Sequence, residues 1–86
     1  MWQIILNEKS KKVLSKLDSK AQNEILNYLY RESLRKYPRA FGKPLSLNLK
    51  GLWRYRIGEY RIICDLQEKE LLILVIDIGH RSKIYK

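Results

Sequence analysis

Two segments of this 86-residue chain carry side chains suited to chemistry on an oxyanion. In the first, Trp53-Arg54-Tyr55-Arg56-Ile57-Gly58-Glu59-Tyr60-Arg61-Ile62-Ile63, arginines alternate with aromatic and aliphatic residues on either side of a Gly-Glu pair. Guanidinium is planar, permanently charged and able to grip phosphate or carboxylate oxygens two at a time. The second, Gly79-His80-Arg81-Ser82-Lys83-Ile84-Tyr85, places an imidazole, a guanidinium, an ammonium and a phenol close together. No carboxylate pair, Ser–His–Asp set, Gly-rich phosphate loop or dinucleotide fingerprint accompanies them. One cysteine, Cys64, and one histidine, His80, make neither a disulfide nor a zinc site. The chemistry expected here is rich in arginine, uses no metal and calls for no cofactor.

A hairpin would organise the first segment. Gly58-Glu59 is a two-residue turn with glycine at the first central position, as a type II′ turn requires. Ile57 then faces Tyr60, Arg56 faces Arg61 and Arg54 faces Ile63. Strand alternation collects Arg54, Arg56 and Arg61 on one face and Trp53, Tyr55, Tyr60, Ile62 and Cys64 on the other. Two arginines directly opposed repel each other, and an anion bound between them would offset that cost. The plainer alternative is a solvated basic face with Asp65, Asp77 or Glu59 as ion-pair partners. For His80 the plain reading is a surface histidine, and for Tyr85 a ring packed on the sheet.

Other elements must hold this hairpin in place. Residues 2–6 read as a short strand ended by Asn7, which caps a helix running to about Leu17 with Val13, Leu14 and Leu17 inward and lysines outward. Ser19 and Gln22 fit a capping box opening a second helix to about Lys36, with Ala21, Ile25, Leu26, Leu29 and Leu34 inward. Pro38 and Gly42 stop it. Strands follow at 53–57, 60–66 and 71–78. The last is almost wholly Leu, Ile and Val, which places it inside the sheet with both faces covered. The order β-α-α-β-β-β predicts an α+β fold: two antiparallel helices on a mainly antiparallel sheet, with the first strand at one edge.

Composition narrows the class. Residues 1–86 are short enough for a single domain. Eighteen Lys+Arg against nine Asp+Glu give a net charge of +9, which favours a polyanionic partner. Residues 37–63 hold six basic groups and one acid, residues 79–86 three basic groups and none, and residues 64–78 one lysine and four acids. The N-terminal apolar run is too short for a signal segment and the longest apolar stretch is far short of a membrane span. A cytoplasmic protein is expected, with no membrane partner.

Taken together, Gly42-Lys43-Pro44-Leu45, Leu49-Lys50-Gly51-Leu52-Trp53-Arg54-Tyr55-Arg56-Ile57-Gly58-Glu59-Tyr60-Arg61 and Val75 through Gly79-His80-Arg81 to Tyr85 closely resemble the RelE branch of the RelE/ParE toxin superfamily. The resemblance covers essentially the whole chain. It implies the toxin of a type II toxin–antitoxin pair, with a cognate antitoxin, which cuts mRNA in the ribosomal A site without metal. The RNA's own 2′-hydroxyl attacks the adjacent phosphate, leaving a 2′,3′-cyclic phosphate and a 5′-hydroxyl. By matching motif positions, Arg61 corresponds to the arginine that stabilises the phosphate. Arg81 corresponds to the arginine near the leaving oxygen, Tyr85 to the tyrosine that orients RNA or assists proton transfer, and Arg54 to one of two family lysines. The other lysine position falls on Leu52, a departure for which Lys50 or Lys43 could substitute. His80 stands where a relative carries lysine, and its role is open. Arg56, Lys50, His80 and Lys43 are candidates for substrate binding.

Two other functions share this sequence pattern. A ParE-like inhibitor on the same fold would bind DNA gyrase and cleave nothing, and a noncatalytic basic module would bind nucleic acid through charge. Arg61, Arg81 and Tyr85 occurring together favour the enzyme.

Overall fold

The computed structural model describes residues 1–45 and 51–80. Lys50, Arg81 and Tyr85 lie outside the described residues. Those described form β1 (Gln3–Leu6), α1 (Glu8–Ser15), α2 (Ser19–Leu29), α3 (Glu32–Lys36), a 3-10 turn (Pro38–Ala40), β2 (Lys43–Pro44), β3 (Leu52–Ile57), β4 (Tyr60–Gln67) and β5 (Leu72–His80). The strands make one sheet in the order β1-β5-β4-β3-β2, with β1 parallel to β5 and the other pairs antiparallel. Helices pack on one face, so the α+β expectation holds.

The helical half departs from expectation in ways that geometry explains. Asn7 does cap α1, accepting from the Ser10 amide at 2.8 Å. The cap of α2 is Asp18, whose carboxylate accepts from the Ala21 amide at 2.8 Å. Gln22 forms no box with Ser19. Its side-chain amide donates to the Leu14 and Leu17 carbonyls at 2.9 and 3.0 Å, tying α2 to the end of α1. The single helix expected through Lys36 breaks at Tyr30–Arg31. Leu29 and Leu34 are both fully buried. Five residues apart, they would sit about 140° apart around one unbroken helix, so the chain must turn for both to face the core. The turn also lets α3 clamp the start of β1. The Trp2 amide donates to the Arg35 carbonyl at 2.8 Å, and Arg35 Nε donates to the Trp2 carbonyl at 3.1 Å.

β5 lies inside the sheet, as its composition implies, but the helices cover only one of its faces. Ile73, Val75 and Ile78 are buried against the helices, while Leu72, Leu74 and Ile76 on the rest of the strand are half-buried. The strand starts at Leu72, after Leu71 takes a positive φ of 49° in the preceding turn, and runs on through Gly79 to His80.

β3 is fastened from below by the segment after α3. The Tyr55 hydroxyl donates to the Pro38 carbonyl at 2.7 Å, and Trp53 Nε1 to the Phe41 carbonyl at 2.6 Å. Gly42 makes the close approach possible. Its φ is +70°, and a Cβ built there would lie 2.3 Å from the Arg54 carbonyl oxygen. Gly42→Ala should therefore lower the unfolding free energy by about 1–3 kcal/mol, read from urea denaturation.

Burial in the same region pushes the Tyr55 phenol well above its ordinary value, with the neighbouring Cys64 and Tyr28 adding to the effect; burial alone does the same to the Cys64 thiol. Both groups are held neutral in the folded state and ionise more readily when unfolded. Their contribution to stability is therefore complete below the ordinary thiol value of 9.0 and declines as pH rises past it, the ordinary phenol value of 10.0 adding a second loss. Urea midpoints measured from pH 7.5 upward should show the alkaline decline starting later in Cys64→Ala than in the wild type.

Candidate functional site

The hairpin register is the expected one. Ile57 pairs with Tyr60, Arg56 with Arg61, Tyr55 with Ile62, Arg54 with Ile63 and Trp53 with Cys64. Gly58 has φ +58°, and among described non-glycine residues only Leu71 has a positive φ, so Glu59 does not, as a type II′ turn demands. Tyr55, Ile57, Ile62 and Cys64 consequently enter the core beneath α2. Arg54, Arg56 and Arg61 share the opposite face, which no described helix covers.

These arginines differ in setting. Arg56 is exposed, Arg54 half-buried, and Arg61 only 8% exposed. A guanidinium withdrawn from water is fixed in place and acts through a lower effective dielectric, so Arg61 is the most strongly preorganised charge on the face. Arg61 pairs across β5 with Gly79, so no β5 side chain stands opposite it. Lys43 on β2 pairs with Arg54, which brings a fourth cation to the group.

His80 is not brought to them. It pairs with Tyr60, and the two rings meet edge-on with centroids 5.6 Å apart. Tyr60 packs against the core, so His80 lies on the helix side of the sheet, the face opposite Arg61. The carboxylates named as possible arginine partners are engaged as follows: Asp77 forms a 3.4 Å ion pair with Lys9 of α1, and Asp65 accepts from Gln67 Nε2 at 3.2 Å. Lys9 was not among the candidate residues, and Asp77 was named only as an arginine partner. Asp77 pairs with Ile63 and so stands on the arginine-bearing face, yet nothing local in sequence joins it to a lysine 68 positions away. An open cleft of about 240 Å³ lies behind the hairpin turn, between Glu59 and Gly58 and the α2 residues Lys20 and Glu24. It does not include the arginines.

Among the described residues no group of three His, Cys, Asp or Glu could hold a metal ion. The arginine face has the chemistry to attract an oxyanion, since guanidinium groups pair with phosphate or carboxylate oxygens.

The family model of the ParE toxin of the type II toxin–antitoxin system parDE matches residues 4–85. The chain belongs to this toxin family. It lies within the RelE/ParE superfamily, as the motif resemblance implied. Toxin RelG of Mycobacterium tuberculosis is 30% identical over 53 residues, a match spanning 62% of this chain and only 61% of that relative. The toxin's fold is similar to that in the RelBE2 toxin–antitoxin complex of M. tuberculosis (TM-score 0.80, 21% identity, 95% of this chain and 93% of that one). It is similar as well to isolated E. coli RelE (TM-score 0.78, 20% identity, 99% and 92%). At those identities the likeness establishes the fold. No described helix of the toxin is long and apolar enough to cross a membrane.

The directly opposed Arg56 and Arg61 should cost the folded toxin stability. Arg56→Thr, which keeps a strand-favouring residue at this exposed position, should raise the unfolding free energy by about 0.5 kcal/mol in urea titrations at low salt. The gain should shrink as salt screens the repulsion.

Proposed function

We propose that this toxin is a ribosome-dependent endoribonuclease that cuts mRNA in the A site by attack of the RNA's own 2′-hydroxyl. The observation that carries the reading is the convergence of Arg54, Arg56 and Arg61 on one face of the sheet, with Lys43 beside them. The 2′-hydroxyl gives up its proton as its oxygen bonds to phosphorus, and negative charge builds on the nonbridging oxygens. The bond to the 5′-oxygen then breaks, that oxygen takes up a proton, and a 2′,3′-cyclic phosphate remains. Fixed guanidinium groups stabilise the crowded phosphorane more than the starting diester, which is the condition for catalysis rather than mere binding. Arg61 is the leading group for this role, with Arg54 and Arg56 supporting it and Lys43 holding the flanking RNA. On the motif resemblance, Arg81 serves the leaving oxygen and Tyr85 orients the RNA, both outside the described residues. Lys50 remains a candidate for the role vacated at Leu52. His80, on the far side of the sheet, supports Tyr60 and the hairpin rather than the phosphate.

The partner that restrains this activity is a cognate antitoxin. Relatives of the same fold are known in toxin–antitoxin complexes, and a +9 surface suits an acidic segment. The setting is the cytoplasm, where ribosomes and mRNA are found.

A second reading is favoured by the family match itself, which carries the name of the ParE toxin: inhibition of DNA gyrase without cleavage. The two readings part in one experiment. With translating ribosomes the toxin should cut mRNA, with EDTA harmless once ribosome integrity is maintained separately, and should leave 5′-hydroxyl ends. Arg61→Ala should slow cutting by about 10²-fold or more. Inhibited supercoiling by gyrase with intact mRNA would establish the second reading instead, and fragments with 5′-phosphates would exclude 2′-hydroxyl attack.

A further inference from the structure

The arginine face continues beyond the sheet. Register places Lys43, Arg54, Ile63 and Asp77 in one row across β2, β3, β4 and β5. Lys9 of α1 ends that row, 3.4 Å from Asp77. Three strand spacings make the row about 14 Å long. From Lys9 the helix carries Lys12 and Lys16, at i+3 and i+7, along the same flank, which adds about 10 Å. All three lysines are exposed. The buried and half-buried residues Ser10, Val13, Leu14 and Leu17 face the other way, into the protein. Nearby carboxylates are engaged elsewhere, Glu8 with Lys11 at 3.5 Å and Asp18 with the Ala21 amide.

Ordinary helix electrostatics accounts for part of this. Lys12 and Lys16 sit at the C-terminal end of α1, where cations favour the macrodipole. Lys9 does not fit that account, because it lies in the first turn, where a cation is disfavoured. Like charges at Lys12 and Lys16, four apart, also work against the helix. Asp77 is the acid that draws Lys9 toward the arginine-bearing face, and an exposed pair of this kind contributes little stability by itself.

We infer that Lys9, Lys12 and Lys16 form a second phosphate-binding ridge, along which a single RNA strand leaving the arginine face continues over β5 onto α1. This rests on the endoribonuclease reading and adds the path of the substrate. RNA fits better than a protein partner because Lys43 and Arg54 at one end and Lys9, Lys12 and Lys16 at the other are separate cations suited to a regularly charged backbone, with only Ile63 and the Lys9-paired Asp77 between them. The Lys9–Asp77 pair is partly solvent-exposed, and an ammonium has three donors, so Lys9 can keep Asp77 and still donate to an RNA phosphate.

The test uses the full chain and a 2′-O-methyl oligoribonucleotide, which has no 2′-hydroxyl to attack and so reports binding without cleavage. Affinity is followed by fluorescence anisotropy across salt concentrations. Lys12→Gln/Lys16→Gln should bind several-fold more weakly at 0.1 M salt. Its slope of log K against log salt should be shallower by about 1.4, the loss of two single-strand phosphate contacts. Lys12→Arg/Lys16→Arg should keep the wild-type slope. Lys20→Gln/Lys36→Gln removes the same net charge away from the row and should change the slope less than half as much. Equal losses in the two Gln pairs would mean that only net charge matters and would overturn the ridge. An unchanged slope in Lys12→Gln/Lys16→Gln would overturn it too, even if antitoxin capture weakened. Because no cleavage is read, a ridge-dependent slope in a toxin that cuts no mRNA would refute the nuclease reading alone, whereas cleavage without a ridge-dependent slope would remove only the ridge.

Discussion

A two-residue turn at Gly58-Glu59 decides which side chains of β3 and β4 share a face. With period-2 alternation, a slip of one residue would carry Tyr55, Ile57, Ile62 and Cys64 out of the core and drive the arginines into it. Core and functional face are thus two readings of one register. The positive φ of Gly58 fixes it at the turn, and the bonds from Trp53 and Tyr55 to the Phe41 and Pro38 carbonyls fix it at the other end of β3. Gly42 permits that second fastening by letting the backbone pass within contact of β3. A charged face that repels itself can persist because the residues behind it have only one place to go.

This dependence explains what could be read from the residues and what could not. Strict alternation of aromatic and arginine, followed by Gly-Glu, carries its own register, and the hairpin is present as expected. The α2–α3 break was harder to foresee. The spacing of Leu29 and Leu34 already conflicts with one continuous helix, but only if both are known to be buried. By its spacing Gln22 fits a local cap, but its partners belong to the preceding helix, a contact set by the angle between α1 and α2. His80 was grouped with the phosphate-binding residues because it adjoins Arg81 in the chain. Once β5 runs on through residue 80, alternation sends His80 to the helix side, with Tyr60. Lys9 and Asp77 meet only because β1 stops at Leu6 and leaves the later part of β5 to the start of α1. Composition cannot signal a contact of that range.

Fold likeness leaves the choice between nuclease and gyrase inhibitor open, because one scaffold serves both and site chemistry must decide. Binding to another macromolecule needs only complementary charge and shape, and exposed cations such as Arg56 suffice. Catalysis needs charge held where it gains most as the reaction proceeds. In the proposed reading Arg61 is the group placed for this: it is 8% exposed, its strand pairs with both neighbours, and a glycine on β5 stands opposite it. Withdrawing a guanidinium from water is costly, and a protein that merely needed a basic surface would have no reason to bear that cost. The burial of Arg61 beside a half-buried Arg54 and an exposed Arg56 therefore supports the proposed nuclease over a surface that only makes contact.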